Sequence, residues 1–330
     1  YCMEKIDAHV HVNSASSTFL EQAQADDFKI LSINVDYPEF PSIKEQGRIS
    51  VRHLQAYPDR FAYASTFEMK GWDEPDWQGR VIDQLDETIV NGAVAVKVWK
   101  NIGMDFRDKS GKFVMIDDPG FDGIFVYLFQ KAIPLISHLG EPKNCWLPIE
   151  EITIKFERDY FATHPQYHMY LHPELPSYEE QMASRDRMLG KNKQLSFIGA
   201  HFACLEWSIS EISRFLDRFP KAVIDTAERM MYLQYHSSRD RQKVRNFIIK
   251  YQDRILYGTD LVQDTETDPD EFKKTVHNKW LKDWKYLVTD EIMQTSEFDG
   301  NFKGLALPME VVKKIYRSNA VKMFPNAWNK

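Results

Sequence analysis

The residues best suited to chemistry in this chain fall at the ends of apolar runs. Lys5 to His11 closes on His9-Val10-His11, Ala93 to Val98 carries Lys97, Ile133 to His138 ends in His138, Ser196 to His201 in His201, and Ile255 to Asp260 in Asp260. Metal-competent nitrogens and a carboxylate at the close of otherwise hydrophobic segments are hard to reconcile with core packing alone. His9 and His11 are two apart, so on a strand both imidazoles leave one face and can grip one ion from one side. An isolated H-x-H is more often a pair of exposed or hydrogen-bonded histidines; its place at a strand end reverses that reading.

The elements that must position these groups recur in a regular order. Besides the five runs above, Lys29 to Val35, Phe61 to Phe67 and Ala222 to Thr226 read as short β-branched strands. Between the strands, Ser42 to Tyr57, Gln78 to Val90, Ser177 to Leu189, Ser208 to Phe219 and Arg239 to Tyr251 return apolar residues every three or four positions, the spacing of helices. Pro58, Pro134 and Pro220 separate helix from strand. Strand and helix alternating eight times imply a parallel sheet, and a closed (β/α)8 TIM barrel is its eightfold form, with an open doubly wound sheet as the alternative. Two connections are long. Gly140 to Gln194 forms an insertion after strand 5, placed to serve as a lid, and Val262 to Pro308 forms an extension after strand 8, ahead of a final helix from Met309 to Met323. No repeat or linker divides the chain, so residues 1–330 read as one domain.

Composition excludes several classes. The 330 residues are 43% hydrophobic and 28% charged, enough for a large core. A net charge of -7, dispersed along the chain, lacks the basic stripe of a nucleic-acid binder. No apolar run approaches the ~20 residues of a membrane span. Cys2, Cys145 and Cys204 are too few and too scattered for a disulfide framework. The chain begins at Tyr1, which leaves the compartment open: a soluble protein, cytoplasmic or exported after removal of an upstream segment.

Read in order, Ile6-Asp7-Ala8-His9-Val10-His11, Ser137-His138, Gly199-Ala200-His201, Tyr257-Gly258-Thr259-Asp260 and Ile315-Tyr316-Arg317-Ser318-Asn319-Ala320 resemble the amidohydrolase superfamily, specifically its amidohydrolase-2 branch. The resemblance implies His9 and His11 as paired first-strand metal ligands, His138 as the fifth-strand ligand, and Asp260 as the aspartate that touches the metal and handles protons. It implies His201 as a catalytic histidine beside the metal. Independently, three neutral imidazoles and a carboxylate suit a divalent ion, Zn²⁺ above others, and leave a coordination position for water. In some branches a fourth-strand lysine is carboxylated and bridges two metals. Lys97 would then be a ligand and two ions would bind; otherwise Lys97 is an amine paired with a carboxylate such as Asp260 or Glu141, and one ion binds.

Other residues carry weaker signals. Lys100 reads as a solvated loop residue, and His164, His168 and His172 as a decoy, since Pro165 and Pro173 confine any helix there and no H-E-x-x-H is present. Glu141, Cys145, Glu228 and Arg229 follow strand ends; Arg229 is the best placed to hold a substrate carboxylate or phosphate, with Glu141 and Trp146 as further substrate contacts. The expected activity is hydrolysis of a small amide, ester or lactone by a metal-activated water, with Asp260 moving the proton and His201 or the metal steadying the developing negative charge. The alternatives are a non-oxidative decarboxylase, because close relatives in this branch look like such enzymes, and a catalytically inactive ligand-binding barrel. The partner is a small molecule; a homo-oligomer stays open.

Overall fold

The computed structural model describes residues 3–328, so Cys2 lies outside the described residues. All eight expected strands form: β1 (Lys5–Val12), β2 (Phe28–Ile33), β3 (Phe61–Ser65), β4 (Ala95–Val98), β5 (Leu135–Ser137), β6 (Phe197–Gly199), β7 (Ala222–Asp225) and β8 (Ile255–Leu256). Each pairs in parallel with its sequence neighbour. The chain leaving β8 closes the sheet on β1. Ala8 and His11 donate to the Tyr257 and Leu261 carbonyls at 2.8 and 2.9 Å, Asp260 donates to His9 at 2.8 Å, and a short ninth strand, β9 (Val262–Gln263), pairs with His11 and Val12. The result is a TIM barrel, not an open sheet.

Strand parity separates two apolar layers. Ile6, Ala8, Leu31, Ala64, Ile136 and Leu256 belong to the barrel interior, while strand residues of the opposite parity, such as Phe28, Tyr63, Val96 and Ile224, pack outward against the helices. Following the inward parity to the end of each strand lands on Lys97, His138 and Asp225. Geometry thus carries polar groups to the carboxyl-terminal mouth while the interior below stays apolar. Phe324, Ala327 and Trp328 join the interior cluster.

The outer ring includes α1 (Thr18–Ala25), α2 (Ile43–Ala56), α3 (Trp77–Val90), α4 (Asp122–Gln130), α5 (Lys155–Thr163), α6 (Tyr178–Lys191), α7 (Ile209–Arg218), α8 (Met230–Lys250) and α9 (Pro269–Val288). Several starts are fixed by side-chain caps: Ser42, Ser208 and Asp268 accept from the third residue onward, and Ser177 with Glu180 makes a capping box. Each cap contributes about 1 kcal/mol. The insertion after β5 holds α5 and α6 with 3-10 turns before and between them, and the extension after β8 holds β9, α9 and a small hairpin of Ile292–Met293 against Phe302–Lys303.

Two helices depart from expectation. The helix expected from Arg239 begins at Met230 and kinks at Asp240. The final helix, expected to run unbroken to Met323, is interrupted by a π turn over Lys314–Ser318. The cause is tertiary: Tyr257 donates its N–H to the Ile315 carbonyl at 3.1 Å, which draws that carbonyl toward the barrel.

Candidate metal centre

Five strand ends and the turns after them bring the candidate side chains together. His9 and His11 both turn their Nε2 to one oxygen, Oδ1 of Asp260, each at 3.2 Å. His201 Nδ1 lies 4.0 Å from the other oxygen of Asp260. The His138 ring stands 4.1 Å from the His201 ring, centroid to centroid. Lys97 Nζ lies 3.4 Å from His9 Nε2. His9, His201 and Asp260 already hold their ligand atoms within 4.8 Å of one another. That grouping includes His201, expected beside the metal, and does not include His138, expected as a ligand.

Hydrogen bonds fix which ring nitrogens are free. His11 Nδ1 donates to the Ile33 carbonyl at 2.7 Å, and His201 Nδ1 donates to the Ala227 carbonyl at 2.9 Å. Carbonyls only accept, so in the neutral rings the proton sits on Nδ1 and Nε2 is a bare lone pair. His9 Nδ1 meets Asp225 Oδ2 at 2.7 Å, which sets the same tautomer. His138 Nε2 is buried with no hydrogen-bond partner. Lone pairs of His9 and His11 therefore converge on a carboxylate oxygen with no proton between them. A cation placed there would turn mutual repulsion into attraction, so the donor set fits a divalent ion.

The electrostatics agree with that reading. Burial, the largest effect, depresses the imidazoles: His201 falls to about 3, and His138 falls well below the ordinary 6.5, pushed further by His201 and the Lys100 and Lys97 charges. Burial also lowers Lys97 to about 8, against the pull of Asp225 and Asp260. Burial alone would raise Asp260, but His9, His201 and His11 together hold it well below the usual carboxylate range.

Asp225, the last residue of β7, is the group that sequence reading passed over. Besides His9 it accepts from the His201 and Ala227 backbone N–H groups at 2.8 and 3.2 Å. Its signal was present, since it is the charged residue of an otherwise apolar Ala-Val-Ile-Asp strand. It also steadies an unusual turn: His201, Phe202, Ala203 and Cys204 all have φ between +55° and +58°, a left-handed conformation costing roughly 1–2 kcal/mol per residue. Gly258 is required for a different reason, because a Cβ there would lie 2.8 Å from His9 Cβ.

A cavity of about 570 Å³ lies at the carboxyl ends of β4, β5 and β7, lined among others by Tyr37, Trp99, Lys100, Glu141, Tyr160 and Arg229. Lys100 is not a solvated residue: it pairs with Glu141, so Glu141 is not the partner of Lys97. Arg229 is 6% exposed and pairs with Glu228. Trp146 packs edge-on against Tyr178, with ring centroids 5.6 Å apart, and is not among the residues lining the cavity. Cys145 and Cys204 are buried free thiols, both pushed up by burial, Cys204 to about 12. His164, His168 and His172 bond to the Tyr160, Leu147 and Pro165 carbonyls and gather no ligand cluster among the described residues.

Comparison with known proteins gives the class. Residues 6–325 match the amidohydrolase family Amidohydro_2, and the chain belongs to that family of enzymes. No curated protein matches the chain. Among solved structures it is similar to a 2,6-dihydroxybenzoate decarboxylase complexed with 2,6-dihydroxybenzoate, at 15% identity and TM-score 0.55 over 98% of this chain and 99% of that one. It is similar to an amidohydrolase II at 14% identity and TM-score 0.56, over 98% and 100%. A 4-oxalomesaconate hydratase from Rhodopseudomonas palustris is similar at 11% identity and TM-score 0.52, over 98% and 96%. At these identities the likeness describes the fold. No helix of the described residues is long and apolar enough to cross a membrane.

Proposed function

We propose that this protein is a metal-dependent hydrolase in which His9, His11, His138 and Asp260 hold one divalent ion, Zn²⁺ being the best match to the donors. The observation that carries the reading is the convergence of two unprotonated Nε2 atoms on Asp260 Oδ1 at 3.2 Å; the buried, partnerless Nε2 of His138 is a further free donor. An ion bound there supplies Lewis acidity to an acyl oxygen and acidifies water at neutral pH. Asp260 Oδ2, the oxygen turned away from His9 and His11, takes the proton of the attacking water and returns it to the leaving group. His201 has its Nδ1–H committed to the Ala227 carbonyl, and because burial pulls it down to about 3 its Nε2 stays a bare lone pair with no proton to offer. Of the two groups expected to steady the developing negative charge, His201 and the metal, we assign that role to the ion. We read Lys97 as an amine beside a single ion; its Nζ lies 3.4 Å from His9 Nε2.

The cavity supports an uncharged substrate. Both of its cations face carboxylates, Lys100 that of Glu141 and Arg229 that of Glu228, although Arg229 Nε has no partner; Glu39, Asp105 and Glu157 add acidic groups to the wall, which disfavours an anion, and aromatic rings offer flat apolar faces. A small neutral ester, amide or lactone with a ring fits better than the anionic substrate first expected of Arg229. We read the chain as one catalytic domain, in keeping with a family match that spans residues 6–325.

The test is turnover of a panel of neutral aryl esters, amides and lactones by protein loaded with Zn²⁺. The reading expects hydrolysis that a chelator abolishes and Asp260→Asn reduces at least 100-fold. Release of CO2 from a carboxylic acid in place of hydrolysis, or turnover indifferent to chelator and to Asp260→Asn, overturns it.

A further inference from the structure

Strand β1 does not alternate evenly. Ile6 and Ala8 belong to the barrel interior, whereas Val10 and Val12 pack in the outer layer with Phe28 and Trp280. Between them the register with β2 shifts, from Asp7 opposite Ile30 to Val10 opposite Ser32. A bulge inserts one residue and flips the parity. Asp7 is therefore left on the outer side while His9 and His11 reach the mouth; in an even strand the three would share one face.

The outward carboxylate is fully buried and fully used. Asp7 Oδ1 accepts the Thr259 N–H at 3.0 Å and the His9 N–H at 3.4 Å. Asp7 Oδ2 accepts the Thr259 hydroxyl at 2.6 Å and the Trp280 indole N–H at 2.8 Å. Thr259 immediately precedes Asp260, whose φ of +66° is a strained conformation for a residue other than glycine. Such a conformation persists only where its flanks are held. Thr259 is held at two points by Asp7, and Asp260 itself by its N–H bond to His9. The remaining donor comes from α9, in the extension after β8, where the Trp280 ring stacks on Phe28 at 3.9 Å and 10°.

We infer that Trp280 and Thr259, acting together through Asp7, are positioning residues that aim the Asp260 carboxylate at His9 and His11. The α9 helix thereby becomes part of the machinery of the site, although it contributes nothing to the cavity wall. The inference rests on the reading of Asp260 as a metal ligand.

The experiment measures Zn²⁺ affinity by competition with a chromophoric chelator, with no substrate present. Trp280→Phe keeps a ring on Phe28 and removes the N–H; Thr259→Val keeps the shape and removes the hydroxyl. Each is expected to weaken Zn²⁺ binding about tenfold or more, the usual scale for groups behind a ligand. Because both act through Asp7, the double variant should bind little worse than the weaker single one. Trp77→Phe, at the start of α3, also loses a part-buried indole bond, to the Glu68 carbonyl at 3.2 Å, and controls for general destabilisation. Its thermal midpoint without metal should fall comparably while its zinc affinity stays at the wild-type value. Unchanged zinc affinity in Trp280→Phe, or equal losses in Trp280→Phe and Trp77→Phe, overturns the inference. A wild-type protein that binds no zinc instead overturns the metal reading itself.

Discussion

At the residue scale, the centre is built from rings whose protons are assigned by their neighbours. Three histidines are oriented by groups that accept from Nδ1: Asp225 for His9, the Ile33 carbonyl for His11 and the Ala227 carbonyl for His201. Asp225 is the single charged group among these acceptors, and it binds the His201 backbone as well. Asp225→Asn retains the shape but loses the charge that makes His9 a stronger donor, so we expect zinc affinity to fall 10- to 100-fold. A zinc titration followed by chelator competition checks it, and an affinity within a factor of two of wild type would remove Asp225 from the account. The chemistry was legible at this scale because inward parity and side-chain type coincide at Lys97, His138 and Asp260. Two things were not legible. Asp7 and His9 share a parity in sequence, and only a bulge, which leaves no mark in the residue types, sends them to opposite faces. The pairing of Lys100 with Glu141 arises where two loops meet, and a single sequence does not report which loops meet; that of Arg229 with its neighbour Glu228 depends on a side-chain conformation that residue types do not fix.

At the element scale, eight strands were readable because each is short, β-branched and bounded by turn or helix signals. Helix ends were less readable where tertiary bonds override local preference, as the Tyr257 bond to Ile315 does in the last helix. The insertion after β5 is tied down by one buried carboxylate: Glu157 on α5 accepts from Asn144 Nδ2 at 2.8 Å and from Tyr232 OH at 2.6 Å. Tyr232→Phe should cost about 1.5–3 kcal/mol, the range for a hydrogen bond to a charged group, and should speed proteolytic cutting within residues 155–171. Equal cutting rates would show that the insertion is held by other contacts. The loop between β6 and α7 carries a second buried carboxylate, Glu206, whose oxygens both lack hydrogen-bond partners. Burial pushes it from 4.5 up to about 7, against the pull of Arg229. A raised acid favours the folded state while protonated, so its contribution is complete below pH 4.5 and is lost as pH climbs toward 7. Glu206→Gln removes that loss. The variant should therefore gain on the wild type between pH 5 and pH 8 by up to ~3 kcal/mol. Chemical denaturation at both pH values decides, and a constant difference sinks the assignment.

At the scale of the whole molecule, the proposed ion is a cross-link between distant parts of the chain. It would join β1 to the segment after β8, the seam at which the barrel closes, and to the end of β5 across the mouth. That seam rests on a few backbone bonds from Ala8, Asp260 and His11 and on the two-residue β9. Four ligands drawn from three strand ends would favour the closed barrel over any form with the seam open, because an unfolded chain cannot gather them. Saturation at 100 times the dissociation constant stabilises by about 2.7 kcal/mol. For a chain of this size each kcal/mol raises the melting midpoint by roughly 2 °C or somewhat less, so zinc should lift it by about 3–5 °C and a chelator should reverse the rise. His11→Ala keeps the seam bonds, which are made by its backbone, yet loses a ligand, and its midpoint should respond far less to zinc. Equal zinc-induced shifts in wild type and His11→Ala would place the ion away from the barrel mouth.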